Sequence, residues 1–279
     1  MRRSGHDAFT WNSPDLGLDL RRVVGDGGEV RLGGARRNRS AKVRALLSRP
    51  GLTAVVDVLR SVPAVDVPFS SGPAGEALHE CSALRRGLVL SRVPVALLPL
   101  PATQAEYLRG RPRQALRTNI NRATAMGITC SVVDPGAELD EAVAHIAARR
   151  HQAVDAMLAR EVAPGITRRF TVARNAQGEP VALSVTVLDG AVAGLSTLVT
   201  VPTEGDGQLL RYLLHAETVR DLIGQGVDTV VVSGSMLLST AGTRYFQRRT
   251  GYEPVWLRPV TAPSAVAVVP AAVVPAAAA

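Results

Sequence analysis

Three strand patterns that follow one another with only short turns between them constrain this chain more than any other feature. The segments RRFTVARN, PVALSVTVLDG and AVAGLSTLVTV occupy residues 168–175, 180–190 and 191–201. All three contain β-branched residues, which favour strands. The connection AQGE is a turn sequence, and Asp189-Gly190 is a two-residue hairpin signal. This block predicts three consecutive strands of one sheet, which other elements must cover.

Helical patterns flank the block on both sides. The segment 138–158 places its apolar residues on one broad helical face, and the segment 208–226 is a leucine-rich helix that ends at Gly226. The face of the first helix comprises Leu139, Val143, Ile146, Ala147, Val154 and Leu158. From about residue 94 the predicted order is β-α-β-α-β-β-β-α-β-α-β. Helices between strands of this kind predict an α+β fold of mixed α/β layers, with a central mixed sheet flanked by helices.

The sequence predicts four regions. Residues 1–50 form a basic, loop-rich and irregular N-terminal segment, and residues 51–93 form a partial α/β extension with a buried strand at LTAVVDVL, residues 52–59. Residues 94–260 form the main domain. The uncharged segment 261–279 contains three prolines among alanines and valines, so we expect a disordered tail rather than a membrane contact.

Helix boundaries are readable before the strand block. Thr103 with Glu106 three residues later forms a capping box, which predicts that a helix begins there. Pro112 fits the first turn of a helix and is costly inside one, so a second helix begins near it. That second helix ends at Gly127.

Charge and cysteine content limit the function classes only weakly. The formal net charge is +8, and Lys42 is the only lysine, so the excess is almost entirely arginine. Such a surface attracts phosphates, tRNA or acidic substrates, although genome composition can also produce it. Cys81 and Cys130 have neither metal-ligand nor redox spacing, and the N-terminus has no apolar signal region. We expect a cytoplasmic protein. We also expect no metal, because His145 and His151 are not spaced as a helical ligand pair.

Three arginines are spaced four residues apart in the region of these two helices, at Arg109, Arg113 and Arg117. On one continuous helix they would form a basic stripe, which is either a solvated face or an anion-binding face for phosphate or tRNA. Both interpretations stay open at this point, since Pro112 can break the helix.

Three segments together resemble a known family. They are YLRGRPRQALRTNINRATAMGI, a basic helix before a strand; VTVPTEGDGQLLRYLLH, a strand, glycine loop and helix; and GTRYFQRRTGY, an aromatic and basic helix near the last strand. With the order of elements, they resemble the GNAT N-acyltransferase superfamily, and more closely its Fem-like branch, over roughly residues 94–258. The sequence departs from the family pattern at Pro202, in the place of a basic or amide residue, and at Gln247, in the place of a catalytic tyrosine.

The resemblance implies a site for acetyl-CoA or another acyl-CoA and no metal. Its pyrophosphate is expected at the glycine loop and the helix start, because glycines admit the phosphates and free N–H groups attract them. The residues implied there are Gly205, Asp206, Gly207, Gln208 and Leu209. Asp206 has an alternative interpretation as the cap of its own helix. The implied catalytic residues are Tyr245 as the acid and His215 or Glu204 as the base, with a buried structural role as the alternative for His215.

The implied acceptor is a small-molecule or peptide amine, for which the candidate contacts are Arg248, Arg249, Arg117 and Ser233. The leading hypothesis is an N-acyltransferase that moves an acyl group from acyl-CoA to an amine. The alternatives are a Fem-like transferase that uses aminoacyl-tRNA on a peptide or cell-wall precursor, and a non-catalytic GNAT-like binding domain. We expect no membrane partner, and the sequence does not define an oligomeric state.

Overall fold

One mixed sheet with helices on both faces organises the described part of the chain. The structure is a computed structural model and describes residues 60–82, 94–151, 165–201, 207–235, 239 and 241–261. Its strands are β1 (Ala64–Phe69), β2 (Val95–Pro99), β3 (Thr129–Val133), β4 (Thr167–Arg174), β5 (Pro180–Asp189), β6 (Val192–Thr200), β7 (Thr229–Ser235) and β8 (Glu253–Thr261). Its helices are α1 (Pro73–Ser82), α2 (Gln104–Tyr107), α3 (Gln114–Ala125), α4 (Ala137–Arg150), α5 (Gly207–Gly224) and α6 (Ala241–Thr250). These elements belong to the larger of two compact units, Ala64–Ala279.

The eight strands lie in the order β1-β8-β2-β7-β6-β5-β4-β3. The pairs β1–β8 and β6–β7 are parallel, and the other neighbours are antiparallel. The predicted α+β fold with a central mixed sheet is therefore confirmed, and the three consecutive strands of the sequence block form the antiparallel run β4–β5–β6. Because β1 pairs with β8, the sheet also includes a strand that precedes residue 94.

The two faces of the sheet bury different helices. On β2, Leu98 packs with α3, α5 and α6, whereas its neighbour Leu97 packs with α1 on the opposite face. Helix α4 covers β4 and β5 on the same face as α1, since alternate residues of β5 join these two clusters. Within the described ranges, no helix combines the length and hydropathy that a membrane crossing requires.

Several local predictions are confirmed. The Thr103 hydroxyl accepts a hydrogen bond from the Glu106 N–H at 3.2 Å, as a capping residue does. Pro112 lies in a 3-10 turn, Arg111–Arg113, directly before α3, and Gly127 follows the end of α3 with a φ of 75°. The predicted apolar face of α4 is buried at Leu139, Val143, Ile146 and Ala147; Val154 and Leu158 lie outside the described residues.

The hairpin between β5 and β6 differs from its prediction by one residue. Asp189 still belongs to β5 and pairs with Val192, so the two turn residues are Gly190 and Ala191. The buried Asp189 carboxylate accepts a hydrogen bond from the Ser70 N–H at 2.8 Å, which gives this side chain a structural partner at the strand end. Gly190 has a φ of 59°, the left-handed conformation that glycine adopts without steric cost.

Candidate functional site

The parallel strands β6 and β7 separate from each other along their length. They pair only between Val192–Leu195 and Thr229–Val232 in the described residues. Beyond these pairs β6 continues to Thr200 beside β5, and β7 continues to Ser235, which pairs with Val95 of β2. A gap therefore opens within the sheet toward the carboxyl ends of β6 and β7.

A β-bulge lies where the gap begins. Thr186 pairs with Leu195 and Val185 pairs with Thr197, so Ser196 is an extra residue on β6. Ser196 is exposed, and its hydroxyl donates to the Val185 carbonyl at 3.0 Å. A bulge bends its strand and interrupts regular pairing, which accounts for the departure of β6 from β7. In the described residues, β6 has no ladder pairing with β7 beyond Leu195.

Two helices start at this same end of the parallel pair. Helix α5 begins at Gly207 after β6, and α6 begins at Ala241 after β7. Because β6 and β7 are parallel, their carboxyl ends share one edge of the sheet, and both helix starts lie near it. The first N–H groups of a helix have no intrahelical partner and carry partial positive charge, so this edge favours anions.

The predicted phosphate loop is only partly described. Glu204, Gly205 and Asp206 lie outside the described residues, as does the side chain of Gln208. Gly207 is the first residue of α5, one residue before the predicted helix start at Gln208. Leu209 has a buried side chain in a cluster with Ile128, Leu210 and Leu213, so only its backbone N–H is suited to a ligand contact. The assignment of these residues to a pyrophosphate stays a prediction.

His215 lies between two tyrosines in the core. Its Nδ1 is 3.4 Å from the Tyr107 hydroxyl, and its Nε2 is 3.0 Å from the Tyr252 hydroxyl. The Tyr107 hydroxyl donates to the Thr250 carbonyl at 2.9 Å, so it accepts from His215. The Tyr252 hydroxyl then donates to Nε2. This chain of hydrogen bonds fixes a neutral imidazole with its proton on Nδ1 and joins α2, α5 and the segment after α6.

Burial controls the ionisation of this network. Burial, together with the smaller effect of the positive charge of Arg113, lowers the pKa of His215 to about 3. Burial likewise raises the pKa values of the Tyr107 and Tyr252 hydroxyls above the ordinary range. These contacts are structural ones, and they match the buried role that the sequence left open for His215. The proposal of His215 as a general base gains no support from them.

Tyr245 and Arg249 lie together on the exposed side of α6. The Tyr245 side chain is 55% exposed, and the Arg249 guanidinium lies 5.1 Å from its ring centroid. Arg248 is also exposed. Both arginines occupy the last turn of α6, where cations suit the helix dipole. The substrate-binding role of the arginines and the acid role of Tyr245 stay predictions.

Gln247 is buried, in contrast to its neighbours Arg248 and Arg249. It is 6% exposed, and its Oε1 has no hydrogen-bond partner among the described residues. The sequence identifies this position only as a departure from the family's tyrosine. A buried, unpaired amide oxygen is a costly group that a ligand donor can satisfy.

The remaining candidates occupy separate places. Arg117 on α3 donates to the carbonyls of Leu108 and Gly110, at 2.9 Å for the second, so it joins its own helix to the preceding segment. Arg113 instead lies 5.3 Å from the Tyr107 ring centroid. Gly110, with a φ of 87°, and the 3-10 turn interrupt the helix, so the arginines do not share one continuous stripe. Ser233 lies on β7, and its side chain lies outside the described residues.

Comparisons with solved structures found similar chains. The GCN5-related N-acetyltransferase from Kribbella flavida is 21% identical with a TM-score of 0.38, and the match covers 61% of this chain and 56% of that one. L-PGS from Bacillus licheniformis is 16% identical with a TM-score of 0.41, over 59% and 57%. FemX is 9% identical with a TM-score of 0.44, over 75% and 66%.

The solved structures similar to this chain thus include a GCN5-related N-acetyltransferase and FemX, members of the groups that the sequence resembles, with TM-scores below 0.5. At these identities the likeness concerns the fold alone, and the chain spans little more than half the length of the first two proteins. No family model matches the chain, and no curated protein matches it.

Proposed function

We propose that this protein is an N-acyltransferase that transfers an acyl group from acetyl-CoA or another acyl-CoA to an amine. The observation that carries the proposal is the gap between β6 and β7 beyond Leu195 and Val232, with the start of α5 at the same edge of the sheet. A gap within a sheet leaves backbone donors and acceptors in a protected place, where an extended ligand with amide groups can pair with them.

The chemistry of acyl-CoA fits these residues. The donor arm of acyl-CoA carries amides that can pair with the open side of β6 beyond Ser196. Its pyrophosphate suits the first N–H groups of α5. The carbonyl of Thr200 already accepts a hydrogen bond from Arg150 at 2.5 Å, so the part of β6 proposed to pair with the donor precedes Thr200. This arrangement would place the thioester near the bulge.

Acyl transfer requires little from side chains. The amine nitrogen attacks the thioester carbonyl carbon, a C–N bond forms, the C–S bond breaks, the amine loses a proton and the thiolate gains one. A backbone N–H beside the bulge is suited to stabilise the developing oxyanion. Tyr245 is the proposed acid, and Glu204 is the proposed base, directly or through water. The acceptor is a small-molecule or peptide amine in this proposal.

Calorimetric titration with acetyl-CoA tests the donor. We expect wild type to bind and Gly207→Val to bind at least about tenfold more weakly, because a valine crowds the phosphates at the start of α5. Gly224→Val is the matched control, since Gly224 is the last residue of the same helix and a Cβ there meets no atom within 4 Å. Equal binding by all three proteins, or no binding by wild type at millimolar acetyl-CoA, would contradict the proposal.

A Fem-like transferase that uses aminoacyl-tRNA is the second candidate, and the exposed Arg248 and Arg249 favour it. Binding to tRNA phosphates weakens steeply with salt, so tRNA affinity should fall about 10³-fold or more between 50 and 200 mM salt if many phosphates are contacted. Salt-dependent tRNA binding together with no acetyl-CoA binding would favour this candidate. Acetyl-CoA binding without turnover of any amine tested would favour a non-catalytic binding domain.

A further inference from the structure

The segment that joins α2 to α3 gathers arginines from both of its ends. Arg109 and Arg111 lie on the segment itself and are exposed. Arg117 extends back from α3 and donates to the carbonyls of Leu108 and Gly110. The charge of Arg117 is therefore held beside the two exposed arginines, although the three residues do not share one helical stripe.

A fourth arginine, Arg113, places this segment against the end of α6. Its guanidinium lies so close to Gly251 that a Cβ there would overlap it, and its Cζ is 5.3 Å from the Tyr107 ring centroid. Arg248, an exposed residue in the last turn of α6, lies three residues before Gly251. We define the arginine surface as these five residues: Arg109, Arg111, Arg113, Arg117 and Arg248.

Carboxylates are scarce around the arginine surface. The sequence has no aspartate or glutamate at residues 107–133 or at residues 229–252. Among the described residues, no carboxylate forms an ion pair with the four arginines of residues 109–117. Burial raises the pKa of the Glu253 carboxyl, and the positive charge of Arg113 opposes this rise without a direct contact. Like charges that are collected in this way repel one another, and an anionic partner would remove that repulsion.

The phosphates of the proposed acyl donor do not reach this surface. The proposed function places them at the start of α5, at the edge of the sheet where α6 also begins. The arginine surface lies instead at the end of α6, about 14 Å along the helix axis from its start. The charge of this surface therefore fits a second anionic molecule.

We propose that the arginine surface binds the phosphate backbone of an RNA, as a partner distinct from the acyl donor. A guanidinium donates two parallel hydrogen bonds to a phosphate, which makes arginine well suited to nucleic acids. An RNA strand presents phosphates in series, so one molecule can contact several of these arginines at once.

An anionic membrane fits the same surface less well. Surfaces that bind membranes combine cations with apolar side chains that enter the lipid. The large apolar side chains that are exposed in the described residues are Met126, Val132, Tyr245 and Val260, and none of them belongs to residues 108–117. Tyr245 lies on α6, where Arg249 stacks on its ring. The surface is thus charged rather than amphipathic, which favours a polyanion in water.

Fluorescence anisotropy with a labelled oligoribonucleotide that carries no amino acid tests the proposal. Wild type should bind, and the double variant Arg109→Ala/Arg111→Ala should raise Kd by about tenfold or more, because two charge-assisted contacts are lost. The slope of log affinity against log salt should decrease by about 0.7 for each phosphate contact removed. Both side chains are exposed, so we expect the variant to remain folded.

A control variant separates this surface from net charge. Arg149→Ala/Arg174→Ala also removes two positive charges, from residues of α4 and β4 that pair with Glu179 and Glu138. It should change Kd by less than about twofold, because charges beyond a Debye length are screened. No binding of RNA by wild type, unchanged binding by the first variant, or an equal loss in both variants would overturn the proposal.

Two further ligands complete the test. Saturating acetyl-CoA should leave RNA affinity unchanged, since the two molecules occupy different ends of α6. Competition between them would place the RNA in the donor site and would overturn the separate surface, as would binding to phosphatidylglycerol vesicles without binding to RNA. Failure of wild type to bind acetyl-CoA while it binds RNA at this surface would overturn the acyl-CoA proposal alone.

Discussion

At the scale of single residues, the buried hydrogen bonds of His215 with two tyrosine hydroxyls give the most specific prediction about the stability of the fold. Tyr252→Phe removes the hydroxyl that donates to Nε2 at 3.0 Å and leaves this buried nitrogen without a donor. We expect a loss of about 1–3 kcal/mol in the free energy of unfolding, measured by urea denaturation. Tyr245→Phe is the matched control, because the Tyr245 side chain is 55% exposed. Loss of its hydroxyl should change the free energy of unfolding by less than about 0.5 kcal/mol. Similar stability of the two variants would contradict the network.

His215 also determines a predicted dependence of the free energy of unfolding on pH. The pKa of His215 is lowered to about 3 by burial and by Arg113, whereas an unfolded histidine titrates near 6.5. The unfolded chain therefore binds one more proton than the folded chain between these values. The stability contribution is complete above about pH 6.5 and is lost as the pH falls toward 3, at up to about 1.4 kcal/mol per pH unit.

Urea denaturation from pH 7 to pH 4.5 measures this slope. The slope should decrease in His215→Phe and persist in His145→Ala, which changes a histidine on α4. An unchanged slope in His215→Phe would show that other groups cause the acid sensitivity.

At the scale of elements, the close packing of α1 on β6 depends on one glycine. A Cβ at Gly194 would lie 2.2 Å from Cδ2 of Leu78, a buried residue of α1. Gly194→Ala should lower the free energy of unfolding by about 1–3 kcal/mol, because the helix or the leucine must move. Gly224→Ala at the end of α5 meets no atom and should be neutral or stabilising by up to about 1 kcal/mol. Equal effects in urea denaturation would contradict this packing.

Elements with local signals could be predicted from the sequence, and elements that depend on distant partners could not. The cap at Thr103, the run β4–β5–β6 and the helix that begins at Gly207 follow from turn residues and periodicity. Strand β1 was missed, because Pro68 interrupts its pattern and its strand partner in the described residues is β8, almost two hundred residues later. An edge strand tolerates a proline, so the pattern alone is ambiguous. The strand predicted at 52–59 lies outside the described residues.

The candidate site likewise combines features that the sequence alone shows with features that depend on distant partners. The glycines of the loop and the arginines of α6 are visible in the sequence. The bulge at Ser196 becomes visible only when β5 and β6 are in register. The contacts of Tyr107 and Tyr252 with His215 join residues 108 and 37 positions apart, for which no spacing rule exists.

At the scale of the whole molecule, the sheet and two helices combine into one place for a donor. The bulge on β6 lies where the pairing with β7 ends, and the parallel pairing brings the starts of α5 and α6 to one edge. No single feature of this set defines an acyltransferase. Their coincidence at one edge of the sheet is the physical basis of the proposal.

Hydrogen exchange with and without saturating acetyl-CoA tests this central claim most directly. A ligand that pairs with β6 beyond its contact with β7 should slow exchange in peptides that cover Ser196–Thr200 and the first turn of α5, because N–H groups that donate to the ligand exchange more slowly. Peptides from β4, Thr167–Arg174, serve as the internal control, since this strand is paired on both sides by β3 and β5. The account predicts protection at β6 and α5 and none at β4. Protection that appears only elsewhere, or no change at β6 while acetyl-CoA is bound, would contradict it.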